Sequence, residues 1–282
     1  MNISDFEMIT RILRERSGLV LSKDKAYLIE SRLNPVARKW QFKSFDDLAN
    51  ALRLGNDEKL LREVTEAMTT NESFFFRDSK PFDQFKEIVL PHLLTARATR
   101  RSFRIWSAAC SSGQEAYSLA MILKENAAKL QGWKIDILAT DLSTEILQKA
   151  KEGAYTQFEV QRGLPIDLLV KYFKQEGERW MIDPGVRQMV TYKTFNLLED
   201  PTTLGAFDVV FLRNVLIYFD QPMKAKVLAG IARNMPADGF LYLGGAETVL
   251  GVSDAFQLIP GQRGIYGLIP SGAAAPKTAA AG

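Results

Sequence analysis

The 282 residues, 46% hydrophobic, 24% charged and 10% aromatic, suffice for one large core or for a small helical domain joined to a medium α/β one, which excludes disorder throughout. Lys and Arg total 36 against 33 Asp and Glu, and the resulting net charge of +3 is too mild for a dedicated nucleic-acid binder. A single cysteine, Cys110, and a single histidine, His92, exclude an intramolecular disulfide and a His/Cys metal cluster, so no metal site is expected.

From Ile3 to Met68 apolar residues recur at helical spacing, as in Phe6, Ile9, Ile12 and Leu13, then Leu48 and Leu52, then Leu60, Leu61 and Val64. This predicts an all-α domain over residues 1–70, with helix starts at Ser4 (Glu7 three residues on), at Ser22 and at Ser44. Pro35 predicts a kink or restart near Asn34.

From Phe103 onward short apolar runs alternate with amphipathic stretches. Strands are predicted at Phe103–Ala108, Ile135–Thr140, Met189–Phe195, Phe207–Leu212 and Phe240–Leu243, and helices at Gln114–Leu130, Thr144–Lys151 and Pro222–Asn234. That rhythm means an α/β domain, over residues 71–270, with a mostly parallel sheet. The stretch Gln175–Val190 breaks it and predicts an inserted hairpin turning at Pro184-Gly185, a small β subdomain spanning roughly residues 173–192. The Ala-, Gly-, Pro- and Ser-rich residues 271–282 read as a disordered tail. No run of about 18 apolar residues exists, and acids and arginines interrupt the start where a secretory signal needs an apolar core, so a soluble, unexported, cytoplasmic protein without direct membrane insertion is expected.

The first strand runs into Cys110-Ser111-Ser112-Gly113 and then a helix. Small residues at that place let a ligand approach the backbone, while the lack of G-x-G-x-x-G argues against a dinucleotide pyrophosphate. Asp141, ending the second strand, can accept hydrogen bonds from both hydroxyls of a ribose; capping a helix that starts at Leu142 is its alternative role.

Three segments, Asn-Glu-Ser-Phe-Phe-Phe-Arg-Asp (71–78), Trp-Ser-Ala-Ala-Cys-Ser-Ser-Gly-Gln-Glu-Ala-Tyr-Ser (106–118) and Phe-Asp-Val-Val-Phe-Leu-Arg-Asn-Val-Leu-Ile-Tyr-Phe-Asp (207–220), resemble the CheR chemotaxis methyltransferases in type and order. The resemblance covers all but the tail. It implies an all-α domain followed by a class I, Rossmann-like S-adenosylmethionine-dependent methyltransferase sheet with an inserted β subdomain. It also implies methylation of glutamate side chains on the cytoplasmic helical domain of chemoreceptors, as sensory adaptation requires, with S-adenosylhomocysteine as product and recruitment to receptor arrays at the inner membrane. A monomer is expected.

Residue by residue, the resemblance makes Asn71, Ser73, Arg77, Glu115, Asp141, Asn196, Leu197, Arg213 and Asn214 cofactor contacts, with Arg77 and Tyr218 beside the transferred methyl. Ser73 stands where the family usually has Thr and keeps its hydroxyl. Gln114 and Ala116 replace the usual Glu and Pro, so the charge at 114 is lost and the helix start at 116 is expected to loosen. A guanidinium at Arg77 suits a carboxylate through paired hydrogen bonds, whereas Phe74, Phe75 and Phe76 are expected to pack and Cys110 to be a small core residue. A glutamate, with a pKa of about 4.3, is already ionised at neutral pH, so no general base is required.

Lys25, Arg32 and Lys39 recur at seven-residue spacing and are expected to form one helix face that meets an acidic receptor helix. Some family members bind a receptor's C-terminal tether by adding a strand to the β subdomain. The stretch here looks shortened, which predicts independence from that tether. A small-molecule carboxyl or O-methyltransferase, and a catalytically idle cofactor-binding scaffold, are the alternatives on the same fold.

Overall fold

A computed structural model describes residues 2–270; the tail expected over 271–282 lies outside them. The amino-terminal helices are α1 (Ile3–Ser17), α2 (Ala26–Lys39), α3 (Phe45–Leu54) and α4 (Glu58–Ala67). Their apolar faces close on a core of their own around Ile9, Leu13, Ile29, Leu33, Leu48 and Val64, all fully buried.

The ends of these helices follow local chemistry. Ser44 and Asp47 cap α3 reciprocally, each side chain accepting from the other's backbone N–H. The first helix starts earlier than predicted: Asn2 accepts from Asp5 N at 2.8 Å, which places Ser4 inside the first turn. Ser22 precedes a 3-10 turn, Lys23–Lys25, and makes no side-chain cap. Nor does Pro35 end α2, which continues to Lys39. The ring forfeits one backbone bond, but Ile29 and Leu33 before it and Val36 and Ala37 after it are buried on the same core.

After the 71–78 segment come α5 (Lys80–Gln84), a π-helical stretch (Phe85–Val89) and α6 (Leu90–Ala96). The main sheet contains β1 (Ser102–Ala108), β2 (Lys134–Asp141), β6 (Val190–Thr194), β7 (Val209–Leu212), β8 (Phe240–Leu243), β9 (Phe256–Leu258) and β10 (Ile265–Leu268), in the order β6-β2-β1-β7-β8-β10-β9. Strands β6 to β8 in that order are parallel, with Ile105 flanked by Ile137 and Val209; β10 and β9 run antiparallel at one edge. Helices α7 (Gln114–Glu125), α8 (Thr144–Glu152) and α12 (Gln221–Arg233) connect the strands. The α7 helix stops five residues short of the predicted Leu130, where the Asn126 side chain donates to the Ile122 carbonyl at 2.9 Å.

The subdomain departs further from expectation. Strands β3 (Ala154–Thr156), β4 (Phe173–Glu176) and β5 (Arg179–Ile182) form a separate sheet in the order β3-β5-β4, with α9 (Gln157–Gln161) and α10 (Ile166–Tyr172) between β3 and β4. The hairpin turns at Gly177, whose φ of +61° is in the left-handed region, and not at Pro184-Gly185. Those two residues open α11 (Pro184–Arg187), because Asp183 accepts from Val186 N at 3.1 Å and proline is preorganised for a helix's first position. Residues 190–192 belong to the main sheet.

Because β2 lies on one side of β1 and β7 on the other, the chain reverses its direction of winding at β1 and opens a crevice beyond the carboxyl ends of these strands. The helical domain roofs it. Val20 N donates to the Tyr218 carbonyl at 2.9 Å, Arg14 pairs with Asp220 at 2.5 Å, and the Glu66 carboxylate accepts from Thr144 N at 2.9 Å.

Candidate active site

The crevice is a cavity of about 990 Å³ out to its open mouth, and its walls bring together Asn71, Ser73, Arg77, Glu115, Asp141, Asn196, Leu197, Arg213, Asn214 and Tyr218. These residues come from sequence segments up to more than a hundred positions apart. Ser17, Leu19, Thr69 and Thr70 of the helical domain also line it.

Backbone strain concentrates here. Ala109, Ser111 and Asn214, all lining the cavity, have φ of +60°, +51° and +58°, conformations that side-chain-bearing residues avoid at a cost of about 1–3 kcal/mol each. The loop after β1 is held in this shape by Cys110 N donating to the Thr140 carbonyl at 2.8 Å and by Ser111 Oγ donating to the Asn71 carbonyl at 2.8 Å. Gly113, with φ of +91°, ends it where a Cβ would stand 2.6 Å from the Tyr192 hydroxyl.

Asp141 is buried, and each of its oxygens accepts one backbone N–H, from Ser111 at 2.9 Å and from Ser143 at 3.0 Å. Burial nonetheless pushes its pKa above the usual aspartate value. A carboxylate has about four acceptor positions, so acceptor capacity remains for a hydroxyl donor in the cavity. Asp141 does not cap the next helix: α8 begins at Thr144, and Ser143 caps it by accepting from Ile146 N.

The second acid, Glu115, accepts from Ser107 Oγ at 2.8 Å and from Arg213 Nη1 at 3.0 Å. Arg213 is nearly inaccessible and ties three segments together, because its Nη2 also donates to Asp78 at 2.7 Å and to the Arg77 carbonyl at 2.8 Å. Its Nε is buried with no partner among the described residues. Gln114 accepts from Ser112 Oγ at 2.8 Å, and Ala116 is fully buried on an intact α7, so the expected loosening is not seen. Cys110 lines the cavity as a buried thiol whose pKa burial raises, with Asp141 and Glu115 adding to the effect; it is no nucleophile at neutral pH.

Several side chains have other work than predicted. Asn196 donates to the Arg16 carbonyl at 2.6 Å and accepts from Leu198 N at 3.1 Å, so it fastens the helical domain to the end of β6 as well as lining the cavity. Arg32 is not a free cation: it donates to the Met68 and Thr69 carbonyls at 2.7 and 3.1 Å and to Thr70 Oγ1 at 3.1 Å, bracing the segment that leads into the cavity wall. Lys39 pairs with Glu63 at 2.6 Å. The expected row of three available cations on α2 is therefore not present; Arg32 bonds to carbonyls created by the end of α4, which the spacing rule could not see. Lys25, in the 3-10 turn before α2, is exposed beside Asp24.

Phe75 is fully buried and Phe76 packs against the main core, but Phe74 does more than pack. The Arg77 and Arg162 guanidinium carbons lie over its ring, 5.4 and 4.3 Å from the centroid. Arg77 spends Nη1 on the Glu72 carbonyl at 3.0 Å and leaves Asp78 to Arg213.

Glu247 escaped the sequence reading altogether. Its carboxylate accepts from Asn214 N and Gly244 N, both at 2.7 Å, from Val215 N at 2.9 Å and from Ile217 N at 3.3 Å, so it sets the turn that presents Asn214 to the cavity. The only local signal was Gly244-Gly245 directly after β8; a Cβ at Gly244 would stand 2.7 Å from both the Asn214 amide and the Glu247 carboxylate.

Among the described residues no cluster of acids, histidine and cysteine is suited to a metal, and no helix is long and apolar enough to cross a membrane.

Comparison with known proteins gives concordant results. A family described as CheR methyltransferase, SAM binding domain, matches residues 71–265, and one described as CheR methyltransferase, all-alpha domain, matches residues 4–69. Chemotaxis protein methyltransferase 1 of Pseudomonas aeruginosa is 41% identical over 268 residues, 93% of this chain and 96% of that one. Chemotaxis protein methyltransferase Cher2 of Pseudomonas putida is 38% identical over 93% of this chain and 96% of its own length. The chemotaxis protein methyltransferase of Vibrio anguillarum is 38% identical over 94% and 97%.

Proposed function

The chain belongs to the CheR methyltransferase family, and from that premise we propose that it esterifies glutamate side chains on the cytoplasmic helical domain of chemoreceptors. It is a methyltransferase, and its cofactor is S-adenosylmethionine. When bound, that cofactor supplies a methyl group on a sulfonium, an electrophile that needs no metal or covalent enzyme intermediate.

The donor set fits the cofactor. Asp141, desolvated and with acceptor capacity left, suits a ribose diol. Glu115 suits an ammonium group, the orphaned Nε of Arg213 suits a carboxylate, and Leu19, Leu142, Leu197 and Phe219 supply apolar walls for a purine. Asn71, Ser73 and Asn214 add polar edges, while Asn196 contributes to the lining from its place between the domains.

The observation that carries the acceptor assignment is Arg77, which shares the cavity with both buried acids and has Nη2 and Nε without partners among the described residues. A guanidinium there orients an incoming carboxylate so that one oxygen faces the methyl. Tyr218, also in the lining, is assigned with Arg77 to the methyl site, where its hydroxyl helps to position a carboxylate oxygen. The glutamate arrives ionised, so the protein's work is desolvation and alignment, without removal of a proton.

Of the three predicted cations, Lys25, in the exposed turn before α2, and Lys39, whose pair with Glu63 is solvated, remain to meet an acidic receptor helix. The two-residue connection between β4 and β5, Gly177-Glu178, supports independence from a receptor tether; measurable calorimetric binding of an isolated receptor-tail peptide overturns that part. We assign the protein to the cytoplasm as a monomer that joins receptor arrays at the inner membrane. The overall reading is tested by incubating the protein with S-adenosylmethionine and a receptor cytoplasmic fragment. Peptide mass spectrometry is expected to find one added methylene on glutamates, absent with Arg77→Ala; methylation of other side chains contradicts it.

A further inference from the structure

At the mouth of the cavity a second arginine stands beside Arg77. Arg162, in the connection between α9 and α10, lies over the Phe74 ring and donates from Nη2 to Glu72 Oε1 at 2.6 Å, while Glu72 and Arg77 both line the cavity. The placement of Arg162 is imposed by its neighbour. Gly163 has φ of +80°, and a Cβ there would collide with the Phe75 carbonyl oxygen and reach the Phe74 ring, so the connection is pressed directly onto the 71–78 segment.

The pair Arg162–Glu72 is exposed, with 41% and 56% of the side chains accessible, and an ion pair so well solvated adds little to stability. It is therefore readily exchanged. Arg162, and to a lesser degree Arg77, hold the Glu72 carboxyl below the usual glutamate range, so Glu72 stays ionised and occupies Arg162 with the same functional group that the substrate carries. Four residues beyond Arg162 the surface turns apolar: Ile166 and Val170, one turn apart on α10, are 71% and 75% exposed. Cations on an aromatic platform followed by uncovered aliphatic side chains suit an amphipathic, acidic helix.

We propose that Arg162 is a second carboxylate-binding residue, which takes an acidic side chain of the protein substrate in exchange for Glu72 and so helps to choose which glutamates are presented to Arg77. This rests on the reading of the cavity as a glutamate methyltransferase site. The substrate feature it recognises is a carboxylate on the same helix as the methylated glutamate, and Glu72 is its intrachain substitute.

Steady-state methylation of a receptor cytoplasmic fragment by the full-length protein tests this, together with calorimetric affinity for S-adenosylmethionine. Arg162→Gln is expected to raise KM for the fragment about tenfold, as for loss of one charge-assisted pair, with kcat and cofactor affinity within about twofold. Arg162→Lys recovers part of the loss, since it keeps the charge and gives up the planar fork. Glu72→Gln, which frees Arg162, is expected to lower KM about threefold. Opposite signs for the two variants are the signature of exchange. If both raise KM together, or both leave it unchanged, Arg162 only fastens a loop and the proposal is overturned while the methyltransferase reading stands. Failure of the unaltered protein to methylate the fragment overturns both.

Discussion

Arg213 and Glu115 share a hydrogen bond of 3.0 Å within the cavity wall, with 2% and 12% of their side chains exposed. The guanidinium is thereby committed to the architecture of the site: it neutralises an otherwise buried carboxylate and, through Asp78 and the Arg77 carbonyl, fixes the loop that carries Arg77. Arg213→Gln leaves Glu115 without its cation, and breaking such a buried pair costs about 3 kcal/mol. Urea unfolding should show that loss together with weakened S-adenosylmethionine binding; unchanged stability contradicts the role.

Glu247 is predicted to act at a distance through Asn214. Glu247→Gln keeps the shape but replaces an acceptor oxygen by a donor amide facing backbone N–H groups, at a cost of about 2 kcal/mol. The left-handed turn at Asn214 is expected to relax and cofactor affinity to fall about tenfold, measured by calorimetry. Asp in its place is expected to rescue little, because the shorter arm does not reach the same N–H groups.

Arg77→Ala separates alignment from cofactor binding. The side chain's own hydrogen bond is to the Glu72 carbonyl, so its removal should leave S-adenosylmethionine affinity within about tenfold while nearly abolishing turnover. Equal losses in both would make Arg77 a cofactor ligand and nothing more.

Acid stability should depend on Asp238. Arg97 holds this carboxylate in a bidentate pair at 2.5 and 2.7 Å, which lowers its pKa from 3.8 to about 2. The depressed value means that the stabilisation is complete above the unfolded-state pKa and is lost as pH falls from about 4 through about 2. The carboxylate is 40% exposed, so solvent screening limits the contribution to about 1 kcal/mol. Asp238→Asn is expected to flatten the stability profile within that window and to lower stability above it; an unchanged profile contradicts the assignment.

The central strands β1, β2, β7 and β8 were legible in the sequence as apolar runs, two of which lead into polar residues that line the cavity, whereas the antiparallel edge strands β9 and β10 were not predicted. Thus Ile137 to Ala139 lead to Asp141, and Val209 to Leu212 lead to Arg213 and Asn214. What remained hidden was pairwise commitment. Spacing showed that Arg32 and Lys39 could share a helix face, but not that the end of α4 would offer carbonyls to the first and Glu63 a carboxylate to the second. Glu247 and Arg162 were missed for a related reason, since each becomes informative only when a distant backbone or ring is placed against it. The Pro184-Gly185 dipeptide misled because a turn signal and a proline at a helix's first position look alike until Asp183 is seen to cap it.

The central claim is that the methyl group goes to a carboxylate of a chemoreceptor. Its most direct test is transfer of radiolabelled methyl from S-adenosylmethionine to receptor-rich membranes, followed by mild base and collection of volatile methanol. Label in the receptor band that is released as methanol is the predicted result; base-stable label, or label confined to small molecules, would contradict it.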